Sequence, residues 1–191
     1  MVANKCEYGN NRIGIQLYLS ELKRKSMKDI ITWGGILGLL LVILSLGLYL
    51  LDMSESGWTS ISYLIIIGVI SIGVFKFRET NGGYLSYGSG LLAGTKIAFF
   101  GSVIAGVYTY LHLTQVDPDF IDRLLYKIED QLYEAGVAGV NDMMDFYRRL
   151  FKPLPFAIWS SLGTTFVGFI VSLIVAAIVQ KKDTSFEANF K

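Results

Sequence analysis

Few side chains in this 191-residue chain have the type and setting to carry chemistry. Lys96 is the one charge inside a long apolar stretch. An ionisable group there suggests an ion or proton pathway when a carboxylate faces it. No Asp or Glu lies in any apolar run, so a buried pair or proton relay lacks its second member. Lys96 also falls about one and a half turns into its helix, within reach of headgroups, which favours a snorkelling side chain. His112 is the only histidine. A single imidazole builds neither a metal site nor a Ser–His pair, so the position reads as interfacial. Asp117, Asp119 and Asp122 suggest a calcium site, but the glycine and closing glutamate of an EF-hand loop are missing. Cys6 is alone, which excludes an internal disulfide and a thiolate cluster. The apolar runs are rich in Ser, Thr and Tyr, yet no Asp/Glu or Ser–His pair is placed for general acid–base work. No catalytic, cofactor-binding or metal residue is assigned, and the expectation is a protein that is not an enzyme.

The elements that hold these residues follow from the composition. Hydrophobic residues make up 52% of the chain and charged ones 17%, against roughly a quarter charged in a soluble domain. The mean hydropathy is +0.48. From Ile30 to Leu51 the chain runs about 22 residues without a charge, the length that crosses a hydrocarbon core. Three more apolar runs follow. The expected fold is all-α: a polytopic integral membrane protein with transmembrane helices at about 30–51, 59–75, 91–113 and 154–179. These spans make a four-helix membrane domain over 30–179, with tails at 1–29 and 180–191. The first span is too long for the apolar region of a signal peptide, and Leu51-Asp52-Met53-Ser54 offers no cleavage pattern. Met27 stands just before that span as an alternative start. Residues 1–26 would then be an upstream extension, and no structure is assigned to them.

Orientation follows the asymmetry of Lys and Arg in the flanks. The N-terminal tail holds Lys5, Arg12, Lys23, Arg24, Lys25 and Lys28, the turn after the second span Lys76 and Arg78, and the C-terminal tail Lys181, Lys182 and Lys191. The first loop carries Asp52 and Glu55 and no base. Both termini are therefore expected in the cytoplasm, with the loop 114–153 outside it. A net charge of +1 gives no footprint for nucleic acid.

In lipid, apolar burial does not hold helices together, and close backbone approach along small residues takes its place. The third span carries Gly90, Gly94, Ala98, Ser102, Ala105 or Gly106, and Thr109 on one face. The fourth carries Ser161, Thr165, Gly168, Ser172 and Ala176, and the first opens with Gly34, Gly35 and Gly38, then Ser45. Such faces pack either within the chain or against another copy.

The loop from Thr114 to Pro153 is patterned. Asp117-Pro118-Asp119 reads as a helix start, with Asp117 as N-cap and proline at the first helical position. Phe120, Leu124, Ile128 and Leu132 recur every four residues, widened by Ile121 and Leu125. The pattern predicts a helix over 118–134, ended by Gly136 and Gly139. Asn141 reads as the cap of a shorter helix with Met143, Met144, Tyr147, Leu150 and Phe151 apolar.

Three segments carry a family likeness. Gly82-Gly83-Tyr84-Leu85-Ser86-Tyr87-Gly88, Asp117-Pro118-Asp119-Phe120 and Val171-Ser172-Leu173-Ile174-Val175-Ala176-Ala177-Ile178 together resemble the membrane family of bacteria, mainly Bacteroidetes, catalogued as domain of unknown function 4199. The resemblance covers roughly residues 30–182 and leaves out the first 26 residues. It implies a four-helix protein of the inner membrane with this outer loop, and brings no catalytic residues or activity.

The expected function is that of a non-enzymatic accessory or scaffold protein, embedded in the lipid bilayer. It presents the outer helical loop to a protein partner, or self-associates through its small-residue faces. A subunit of a small oligomeric transporter or channel is the first rival. Against it stand the lack of paired intramembrane charges, of broken spans and of a repeat between the halves. An intramembrane enzyme is the second rival.

Overall fold

The computed structural model describes residues 3–51 and 60–181, with side chains from Arg24 onward. Asp52, Glu55, Lys182 and Lys191, on which part of the orientation argument rests, lie outside the described residues, as do the side chains of Lys5, Cys6, Arg12 and Lys23. The chain forms α1 (Ala3–Leu50), α2 (Ile61–Thr80), α3 (Tyr87–Leu111), a π-type turn (His112–Val116), α4 (Phe120–Glu134), α5 (Val140–Leu150) and α6 (Pro153–Val179). Among the described residues four helices are long and apolar enough to cross a membrane: Arg24–Leu50, Ile61–Thr80, Tyr87–Val116 and Pro153–Val179.

The N-terminal tail, for which the pattern gives no structure, is helical and continuous with the first span. No proline interrupts it, and extending an existing helix costs far less than nucleating one. The second span also runs five residues past its expected end at Phe75. Lys76 and Glu79 pair one turn apart at 2.8 Å, and the charges of that segment carry the helix out to Thr80 rather than breaking it. Gly82 and Gly83 then reverse the chain with φ of 75° and 85°, values that a side chain makes costly. Leu85 is buried beyond them, and Ser86 caps α3 by accepting from the N–H of Ser89.

α3 lies at the centre and touches α1, α2 and α6. The small-residue faces of α3 and α6 meet each other. Gly90 sits against Ala176, Gly94 against Ser172, Ala98 against Gly168, and Gly106 against Ser161. The Ser102 and Thr165 hydroxyls lie 2.8 Å apart between the two helices. Every small position named on the fourth span is thereby engaged within the chain. On α1, Gly34 and Gly38 pack on α3 around Ile97, Phe100 and Ile104, while Gly35 meets nothing within 4 Å. Leu37, Ile70, Val74, Ile97 and Ala98 form the fully enclosed centre.

One end of this membrane domain is tied closed. Leu85 and Lys181 exchange backbone hydrogen bonds of 3.0 and 2.9 Å. Arg78 donates to the Val179 carbonyl at 3.2 Å, capping α6, and Thr80 donates to Asp29 at 2.7 Å. At the opposite end the chain leaves α3 through the π-type turn and folds α4 and α5 into a cap.

Candidate functional site

The cap departs from its sequence reading in register. Asp117 does not cap α4. Its N–H donates to the His112 carbonyl at 2.8 Å, so the α3 backbone winds on through 112–116 and the next helix starts only at Phe120. The Asp117 carboxylate is buried and accepts instead from Arg123 at 2.6 Å, latching the turn to α4. Asn141 is not the cap of α5 either. Gly139, with φ of 76°, precedes the helix, and the Asn141 side chain accepts from the Tyr133 hydroxyl at 3.1 Å, stitching α4 to α5.

The apolar stripe of α4 is also rotated. Ile121 and Leu125, expected to widen it, are its buried centre, while Leu124 is half-buried at the edge. Ile121 and Leu125 join Leu113 of the π-type turn and Val140 and Met144 of α5 in a second hydrophobic cluster. Phe120, Ile128, Leu132, Tyr147, Phe151 and Phe156 pack around it. Because Leu113 and Phe156 belong to the membrane helices, this cluster seats the cap on them. Glu129 is half-buried and faces Arg148 across the two cap helices at 3.6 Å. The cap turns Tyr126, Tyr133 and Phe146 outward, 72%, 56% and 62% exposed.

His112 sits where cap and membrane helices meet. Its ring lies edge-on to Tyr49 of α1, with centroids 4.9 Å apart, and its Nδ1 is 3.2 Å from the Tyr108 hydroxyl. Tyr49 in turn donates to the Val116 carbonyl at 3.3 Å, so one tyrosine spans α1 and the π-type turn. π-type turns inside helices are frequent at functional positions. Ser45, Tyr108, Thr109, His112, Phe120, Phe156 and Ser160 border a crevice of about 200 Å³. A second crevice of about 300 Å³, bordered by Ser62, Tyr63, Gly163 and Thr164, shares Ser160 with it. Sequence spacing did not reveal this grouping, because its members come from four helices and the π-type turn. A signal existed: Ser45, Tyr49, Tyr108, His112 and Ser160 all stand within a few turns of one end of their spans.

The remaining candidates stay apart. Lys96 is exposed on the outer side of α3, away from the enclosed centre. Asp119 and Asp122 are exposed, and Asp117 is committed to Arg123. Among the described residues no three His, Cys, Asp or Glu side chains converge to hold a metal ion. The crevices offer hydroxyl and imidazole groups for hydrogen bonding, and aromatic faces for contact.

Residues 32–181 match the family described as "Protein of unknown function (DUF4199)". No curated protein and no solved structure matches the chain.

Proposed function

The chain belongs to the DUF4199 family of proteins of unknown function, and on that premise we propose that it is a non-enzymatic accessory protein of a bacterial inner membrane. Its α4–α5 cap is presented outside the cytoplasm to a membrane partner. The observation that carries this reading is the cap itself. An 11-residue and a 15-residue helix are too short to hold their shape alone in water, yet here they pack through a shared cluster onto the ends of the membrane helices. Over that cluster Tyr126, Tyr133 and Phe146 stand exposed. Aromatic residues of this kind are enriched at the centres of protein interfaces. The orientation rests on Lys and Arg: basic residues flank the α2–α3 turn and both tails, while the first loop is acidic.

A subunit of a small oligomeric transporter or channel is the second reading, and the two crevices sharing Ser160 favour it. Leu37, Ile70 and Ile97 are fully buried in the enclosed centre, and a path through a single copy would have to part them.

Crosslinking in intact membranes, followed by purification in mild detergent, tests the first reading. Wild type should bring down a stoichiometric membrane partner, and Tyr126→Ser with Phe146→Ser should lose it while the chain stays folded. A partner retained by that variant, or none at all, would sink the proposal. Cysteines at Ser56 and Glu134 should react with an impermeant maleimide from outside the cell, and one at Ser185 should not. The reverse labelling would overturn the orientation.

A further inference from the structure

The α3–α6 pair has a second face, of a different character from the crevices. Val103, Gly106 and Val107 of α3, with Ala157, Ile158 and Leu162 of α6, line an open groove of about 330 Å³. That volume is at the small end of ligand sites, which run from about 300 to 1,000 Å³. Its floor is made by the small residues Gly106 and Ala157, and its walls by larger ones. The one hydroxyl at the floor, on Ser161, is turned into the helix pair, donating to the Ser102 and Ala157 carbonyls at 3.1 and 2.9 Å. Tyr110 also borders the groove, adding a phenol hydroxyl to a lining that otherwise asks for hydrocarbon. Val107 and Ile158 on its walls are 58% and 53% exposed, which in a span means exposed to lipid tails.

Depth and charge narrow the occupant. From Leu154 to Leu162 the groove runs about 12 Å along α6, close to the half-thickness of a hydrocarbon core, about 15 Å. Its length suits one acyl chain in one leaflet. In the chain that leads into the groove's Leu154 end the charge changes sign relative to the rest of the cap segment. Lys152 immediately precedes α6, two residues before Leu154, and Arg149 is in the last turn of α5; both are exposed. Arg148 is drawn off by Glu129 at 3.6 Å. On α5, Asp145 stands one turn before Arg149, at the spacing of a helical ion pair, but no bridge within 4 Å joins the two among the described residues. A hydrocarbon slot with cations at headgroup level matches an anionic amphiphile.

We propose that this groove holds one acyl chain of an anionic glycerophospholipid, whose phosphate is bound by Lys152 and Arg149. The proposal uses the membrane-spanning reading but not the cap's protein partner. Reversed orientation would move the site to the other leaflet without removing it.

The test is native mass spectrometry of the full chain, extracted from nanodiscs of equal phosphatidylglycerol and phosphatidylcholine. Wild type should retain one phosphatidylglycerol in preference to phosphatidylcholine, by roughly fivefold for each cation. Lys152→Gln with Arg149→Gln should bring the ratio near one. Ile158→Trp or Val107→Trp, which fill the groove, should lose the retained lipid, while Ile178→Trp, at a position 76% exposed elsewhere on α6, should keep it. Two groove variants are included so that a folding defect in one leaves the other to decide. Equal retention of both lipids by wild type would overturn the proposal. So would lipid retained by both groove variants, or Ile158→Cys chains that crosslink as dimers with no lipid bound, which would make a second copy the occupant.

Discussion

Replacing Gly168 by alanine should weaken the membrane domain far more than one methyl group suggests. A Cβ added there would run into the Cβ of Ala98, with the Cδ1 of Ile70 at 3.3 Å and the Cα of Ala98 at 3.5 Å. Ala98 and Ile70 are fully buried, and an alanine has no rotamer by which to retreat. The helix axes must therefore shift. Overpacking of this kind costs about 1–3 kcal/mol. The shift also stretches the 2.8 Å contact between Ser102 and Thr165, an interhelical hydrogen bond of a class averaging about 0.6 kcal/mol in lipid. The sum is roughly 2–4 kcal/mol. Unfolding of purified protein in mixed micelles of mild detergent and SDS, followed by tryptophan fluorescence, measures it. Two partners make the reasoning falsifiable. Ala98→Gly in the Gly168→Ala background restores the space and should recover most of the loss. Gly163→Ala, on the same helix with nothing within 4 Å of its added Cβ, should be nearly neutral. A Gly168→Ala change under about 0.5 kcal/mol, or no rescue by Ala98→Gly, would refute the close α3–α6 packing.

Leu125→Asp or Met144→Asp should release the cap, making 118–150 protease-sensitive in a chain that stays inserted. Leu124→Asp, at the edge of the stripe, should do markedly less, and equal effects would contradict the observed rotation of α4. Asp117→Asn weakens the latch to Arg123, whose side chain is 47% exposed. The cost should be about 1 kcal/mol, read as roughly fivefold faster amide exchange across α4 with α3 unchanged. Lys96→Met should leave insertion and thermal stability within about 0.5 kcal/mol of wild type, as for other exposed surface changes. A large loss would mean that Lys96 has a structural partner.

How much of this was legible in the sequence depended on the kind of signal. Run lengths single out the four helices that are long and apolar enough to cross a membrane, because a membrane sets the length such a run must have. The small-residue periods also name the packing faces, down to Gly94, Ala98, Ser102, Thr165, Gly168 and Ser172. They do not say which face meets which, and only the assembled helices show α3 and α6 consuming each other. Errors gathered at the cap, where two readings compete locally. Asp-Pro-Asp is a good helix start, yet the preceding turn keeps winding and takes the Asp117 N–H for the His112 carbonyl. A stripe with apolar residues at 120, 121, 124, 125, 128 and 132 is wide enough that its centre follows the surface beneath. Leu113, Val140 and Met144 pull it toward Ile121 and Leu125.

Polar residues inside the spans hid the candidate site for a further reason. Many hydroxyls there are satisfied by their own helix: Ser71 donates to Ile67, Thr95 to Leu91 and Ser172 to Gly168, and so does Thr109 of the crevice, to Ala105. A Ser or Thr in an apolar run is then an ordinary solution to lipid burial, and composition alone cannot separate it from one that lines a crevice. What separates them is the asymmetry of the two ends. One end is bound by the Leu85–Lys181 bridge, by Arg78 on Val179 and by Thr80 on Asp29. The other carries the crevices, the π-type turn and a cap seated through one small cluster. With fewer ties, that end is the more open of the two to changes in packing. His112 touches α1 through Tyr49 and α3 through Tyr108, so at that end it joins two membrane helices to the π-type turn that leads into the cap.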